Sequence, residues 1–282
     1  MVFLPDASNG RTARRLLWAT EPARSVVDAG TLVAGLPLLM LAPRGDEHPV
    51  LVLPGLLADD GSTLTLRRFA TWLGYPAVGW SLGRNHGPTR RVVDGLPRLV
   101  DRLADRSGQP VSIVGWSLGG IFARRLALRM PDRVRQVITL GSPFRASEER
   151  WGRTPGERAY RQLSPLHVAE RIHPHDPGDG LAVPSTAVFS RWDGIVDWRL
   201  CRQPPGPRSE SIGVRASHLG LGHHPAVLWV VADRLAQPPG AWRPFRPPLR
   251  LGNVMSGLFF TDVDTPRDDW SRPDQEETTW TA

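Results

Sequence analysis

The sequence predicts an α/β fold, a mostly parallel sheet with helices on both faces, and three observations lead to it. From Pro49 onward, short apolar runs alternate with longer segments of helical character, the pattern of strands joined by crossover helices. The run "VSIVGW" is short and rich in β-branched residues, as expected of a strand buried on both faces. That run ends at a glycine-flanked serine directly before the helix-like "LGGIFARRLALRM", which places a sharp strand-to-helix corner at Ser117.

Taken in chain order, residues 1–48 read as an N-terminal helical extension. Its first residues, "MVFLPDASNGRTARRLLW", carry an acid and turn formers where an export signal needs an apolar core, which points to a cytoplasmic chain. The apolar stretch Ala29 to Ala42 follows Arg14, Arg15 and Arg24 and is too short for a bilayer core of roughly 30 Å. The expectation is a helix packed on the domain, the alternative a peripheral contact with a membrane surface.

Residues 49–236 form the main domain. Its expected strands are "VLVLP", "AVGW", "VSIVGW", "VRQVITL", "STAVFS" and "SIGVRA", and its expected helices "STLTLRRFATWLG", "TRRVVDGLPRLVDRLADRSG", "LGGIFARRLALRM" and "PAVLWVVADRLA". The interval of about 145–184 breaks this rhythm and stands at the carboxyl end of a strand, where an insertion serves as a lid. Residues 237–282 begin with closely spaced prolines and turn acidic, which predicts a flexible or loosely docked tail.

The chain has 282 residues, enough for one large α/β domain, and a net charge of +7 carried by arginine alone. Those arginines are scattered, which argues against a nucleic-acid footprint. The lone Cys201 excludes an intramolecular disulfide and a Cys-rich metal cluster. The group His167, His173, His175, Asp176 and Asp179 matches no zinc template, so no metal and no cofactor is expected.

Ser117 carries the chemical expectation. Gly115 and Gly119 remove the β-carbons that would obstruct the corner and leave the hydroxyl exposed above the sheet edge, a nucleophile elbow; a tight βα turn whose serine caps the helix is the plainer reading. A serine hydroxyl needs a base and an orienting acid. Asp193, first in the loop after "STAVFS", is the favoured acid and Asp197 its rival. His218, directly after the last strand, is the favoured base, ahead of His223 and His224. Two backbone N–H groups, of Leu118 after the serine and Leu56 after "VLVLPG", are placed to hold an oxyanion. Asn85 and His86 read as a loop shaping the pocket wall.

The segments "VLVLPGLLADD", "VSIVGWSLGG", "LGSPF", "SRWDGIVDW" and "SHLGL", in this order and spacing, resemble the α/β-hydrolase superfamily, nearest its lipase and esterase branch, over roughly Pro49 to Leu235. The resemblance implies an eight-stranded, mostly parallel sheet, a Ser117-His218-Asp193 triad, no obligatory cofactor and hydrolysis of a small-molecule ester. Pro54 stands where many members have histidine, which leaves the backbone donor intact. The apolar stretch Ala29–Ala42, the leucines of "PGLLADD" and the loops near Trp80 and Trp198 point to an apolar acyl group. Thioester cleavage or acyl transfer would use the same groups, and a non-catalytic binding scaffold is the reading from another class.

Overall fold

The structure is a computed structural model that describes residues 11–145, 154–163, 180–247 and 259–264. Among these residues one seven-stranded sheet runs through the molecule in the order β2-β1-β3-β4-β5-β6-β7. Its strands are β1 (Val50–Leu53), β2 (Ala77–Gly79), β3 (Val111–Trp116), β4 (Val134–Leu140), β5 (Ser185–Phe189), β6 (Ser209–Val214) and β7 (Phe260–Asp264). The first six are parallel, and β7 runs antiparallel to β6 with Ile212 opposite Val263. All six apolar runs expected as strands are strands. The expected eighth strand has no counterpart among the described residues.

The helices accompanying the sheet include α1 (Arg11–Leu39), α2 (Leu64–Trp72), α3 (Arg90–Ser107), α4 (Leu118–Arg129), α5 (Pro155–Gln162) and α6 (Pro225–Leu235). The central strands β1, β3, β4 and β5 are short and largely buried because an apolar cluster lies on each face. Val52, Val114 and Ile138 pack with α6, while Leu51, Ile113 and Val137 pack with α3 and α4. α3 shows why such a segment becomes a helix: Val92, Leu96, Val100 and Ala104 recur at a spacing of four and are all buried, and Gly108 closes the helix in the left-handed conformation.

Three regions lie outside the alternating strands and helices of the sheet. The N-terminal helix is longer than its apolar stretch, running unbroken from Arg11 through Pro22 and Pro37. Part of the tail, 237 to 247, contacts the domain: Phe245 is buried, its N–H donates to Glu210 at 2.7 Å, and the Arg243 carbonyl accepts from Arg234 at 2.7 Å. Prolines forbid a helix there but leave carbonyls and a large aromatic free to anchor the chain. Beyond it, β7 adds an edge strand. Within the insertion, α5 and the residues beside it are described; the His/Asp group at 167–179 lies outside the described residues.

Candidate active site

The carboxyl ends of β3, β5 and β6 converge on one cavity of about 350 Å³. Ser117 stands between β3 and α4 with φ +52° and ψ −120°, a conformation that costs an L-residue free energy and is held by its surroundings. Its N–H donates to Leu140 at 2.8 Å, and its carbonyl accepts from Gly120 at 3.0 Å. A β-carbon on Gly115 would lie 2.4 Å from the α-carbon of Gly120, and one on Gly119 would lie 2.4 Å from the carbonyl oxygen of Leu53. The glycines expected at the elbow are therefore required by backbone-to-backbone contact, which no side-chain adjustment could relieve.

His218 and Ser117 both line the cavity. The His218 ring is buried, and its Nδ1 lies 2.5 Å from Oδ2 of the buried Asp193. The other carboxylate oxygen of Asp193 accepts from the N–H groups of Ile195 (2.8 Å) and Val196 (2.7 Å), which fixes the acid's orientation. Burial alone would push the His218 pKa down. The Asp193 charge and hydrogen bond, helped by the charge of Glu21, outweigh it and leave the pKa above the usual histidine value. Gly141, at the end of β4, makes room for this pair: a β-carbon there would lie 3.1 Å from Nδ1 of His218 and 3.3 Å from the Asp193 carboxylate.

The rival residues have other partners. Asp197 pairs with Arg14 at 2.9 Å and caps the short 3-10 helix Trp198–Cys201 through Arg199 N–H. His223 lies 3.1 Å from the Ser25 carbonyl, and His224 caps α6, accepting from Ala226 N–H. Asn85 is not on the cavity wall. It is fully buried behind the loop that follows β1, where its side chain donates to the Pro54 carbonyl at 2.8 Å and its own carbonyl accepts from Leu57 N–H at 2.7 Å. That bond commits the Leu57 amide, while Leu56 lines the cavity; Leu118 lines it too, in the first turn of α4, where helix N–H groups lack intrahelical partners.

The wall is apolar apart from Ser62, Ser117, Tyr160 and His218, and among the described residues it carries no carboxylate, guanidinium or ammonium group. Leu56, Leu57 and residues of α5 contribute to it. Trp80 and Trp198 do not: Trp80 donates to the Gly83 carbonyl inside the core, and Trp198 stacks on Phe189. The exposed tryptophan at the cavity is Trp18, on α1.

The sequence reading missed α1's part in this site. Glu21, buried against the acid and base loops, accepts from Gly194 N–H at 2.7 Å, His218 N–H at 3.2 Å and Leu219 N–H at 3.3 Å. Arg24 pairs with it at 2.8 Å and also donates to the Trp192 carbonyl at 2.7 Å. One turn on, Asp28 accepts from both the N–H (2.9 Å) and the hydroxyl (2.6 Å) of Ser217. Gly194 permits the close approach of α1, since a β-carbon there would lie 2.5 Å from the Leu17 backbone. The available signal was the charged set Glu21, Arg24 and Asp28 as the only charges of α1 after Arg15, at a spacing that puts all three on one face.

Comparison with known proteins bears on the fold. Residues 79–171 match the family model described as alpha/beta hydrolase fold. A pimeloyl-[acyl-carrier protein] methyl ester esterase of Nitrosomonas europaea is 39% identical over 71 residues, covering 24% of this chain and 28% of that protein. A homoserine O-acetyltransferase of Thermus thermophilus is 33% identical over 90 residues, covering 32% of this chain and 21% of that protein. The chain thus spans under a third of these relatives' own length. Among solved structures, Aspergillus fumigatus lipase B superimposes with a TM-score of 0.54 at 17% identity, covering 78% of this chain and 61% of the other.

Proposed function

We propose that this chain, which has the α/β-hydrolase fold, is a serine hydrolase that cleaves carboxylic esters of apolar acids, with Ser117 as nucleophile, His218 as base and Asp193 as orienting acid. The observation that carries the reading is the strained Ser117 elbow sharing an apolar cavity with a histidine whose Nδ1 is held by a buried carboxylate. Residues 49–236 act as the hydrolase domain and the insertion as part of its wall.

In the proposed cycle the free nitrogen of His218 takes the Ser117 proton as Oγ attacks the ester carbonyl. Asp193 keeps the imidazole in the tautomer with its proton on Nδ1 and stabilises the imidazolium. The Leu118 and Leu56 N–H groups hold the oxyanion of the tetrahedral intermediate. His218 then gives its proton to the departing alcohol, and water, activated by the same nitrogen, releases the acid from the acyl-enzyme. A wall whose described residues include no arginine favours an uncharged acyl chain, since a carboxylate against those residues would lose its hydration without a partner.

Labelling with a fluorophosphonate, followed by peptide mapping, tests the reading without a choice of substrate. The adduct is expected on Ser117 and is expected to disappear in Ser117→Ala. A folded chain that takes no label is instead a binding scaffold. The similarity to an O-acetyltransferase favours one second reading, acyl transfer to an alcohol, which added alcohols would reveal by raising ester exchange at the expense of free acid.

A further inference from the structure

We propose that the outer face of α1 docks on an anionic lipid surface and that the chain draws its ester substrate from that surface. The second half rests on the hydrolase reading; the docking does not.

α1 is amphipathic in the reverse of the usual sense. Between Leu16 and Leu41 its charged residues, Glu21, Arg24 and Asp28, all turn toward the protein, and every exposed residue is apolar or glycine. Val26 and Val33, spaced by seven and so on one side of the helix, and Met40 just past its end are 72%, 68% and 70% exposed. A continuous apolar strip of this kind marks a contact surface. At 29 residues α1 is roughly 43 Å long, enough to lie along a bilayer. Its charged middle turn prevents it from crossing one, and no helix among the described residues is long and apolar enough to do so.

Charge selects lipid over a second copy of the chain. With a net charge of +7, two copies repel, whereas each arginine near an anionic bilayer adds about 1 kcal/mol of attraction. Arg15 is exposed on the same side of the helix as Trp18 and Val26, so a cation and an indole border the apolar strip, as in helices that lie in the membrane interface. The strip is also continuous with the cavity. Trp18 belongs to both, and Leu57 and Leu219, also on the cavity wall, are 48% and 39% exposed. A bilayer seated on α1 would therefore meet the apolar mouth of the site.

The test is co-sedimentation of the full chain with phosphatidylcholine vesicles, with and without phosphatidylglycerol, using wild type, Ser117→Ala and the double variant Val26→Glu/Val33→Glu. Wild type and Ser117→Ala are expected to bind the anionic vesicles equally. The double variant is expected to lose roughly tenfold or more in binding. It should retain wild-type circular dichroism and cleave a soluble short-chain ester as before, but lose activity on an ester embedded in those vesicles. Absence of vesicle binding by wild type overturns the proposal, as does equal binding by the double variant. So does a lipid-free dimer that these two substitutions dissociate, since a second copy would then cover the strip. Because binding is scored without turnover, a chain that docks yet takes no fluorophosphonate refutes the hydrolase reading and leaves docking intact.

Discussion

Glu21→Gln separates holding the base from merely stabilising the fold. In wild type one carboxylate oxygen of Glu21 accepts from Gly194 N–H, His218 N–H and Arg24, and the other from Leu219 N–H. Glutamine keeps the first oxygen but turns an amide NH2 toward the Leu219 donor. The bonds from Gly194 and His218 become neutral and the Arg24 pair loses its anion, at about 1 kcal/mol each, and the part-buried Leu219 N–H loses its acceptor at about 1–3 kcal/mol, for a total of roughly 4–6 kcal/mol. In a chain of this size that lowers Tm by on the order of 10 °C. The functional effect is distinct. His218 is held less firmly through its own N–H, whose acceptor is now neutral, so kcat is expected to fall roughly 10-fold with KM little changed. Glu21 also helps hold the His218 proton in place, so the acid limb of the kcat/KM profile should move to lower pH. The assay is a pH–rate profile on a soluble ester at a temperature where the variant is fully folded. A lowered Tm with an unshifted acid limb and wild-type kcat would refute the positioning argument and leave Glu21 a structural residue.

Steady-state kinetics should rank the two acids: Asp193→Asn is expected to cost roughly 10³–10⁴ in kcat, whereas Asp197→Asn, which loses an Arg14 pair and a short helix cap, should stay within a few-fold of wild type. Because the folded pKa of His218 lies above its unfolded value, activity is expected to rise with pH through that folded pKa; the stability from the Asp193 pairing is full below about 6.5 and lost over the same rise, which parallel Tm and rate profiles would show. His224 has the opposite sign: burial lowers its pKa to about 4, so its contribution is full above 6.5 and lost as pH falls toward 4, and thermal melts of His224→Asn should show a shallower acid slope. Gly119→Ala is expected to yield little folded protein, as judged by soluble expression and circular dichroism, because its β-carbon would meet the Leu53 carbonyl.

What could be read from the sequence divides by how far apart the interacting residues are. The strands and the Ser117 corner were legible because a buried parallel strand and a glycine-flanked turn are written within ten residues. Asp193 and His218 followed from strand ends, and the structure brings them within 2.5 Å of one another. The Glu21 contacts were not legible, since its partners are backbone amides 173 to 198 residues away and leave no side-chain signature of their own. β7 is a similar case: "FTDVD" becomes a strand because the edge of β6 offers it a ladder, and the segment alone gives little sign of that.

The reversed polarity of α1 follows from what it packs on. A helix laid on a sheet face buries side chains against side chains and needs an apolar stripe. Much of α1's inner face is instead laid on the turns after β5 and β6, whose N–H groups point outward at Gly194, Ser217, His218 and Leu219 with no strand or helix to receive them. Leaving those donors buried and unmet would cost about 1–3 kcal/mol each, so the inner face must supply acceptors, and two carboxylates supply enough for all four. Arg24 then offsets one of the two charges so introduced. With the polar residues committed inward, the apolar residues of the same helix are left facing out, and a lipid surface there would bear on the element that holds the His218 and Asp193 loops together. Vesicle-bound wild type should accordingly show greater amide-exchange protection in residues 192–196 and 217–220 than the free chain, whereas unchanged protection there would mean that the lipid contact and the catalytic loops are energetically independent.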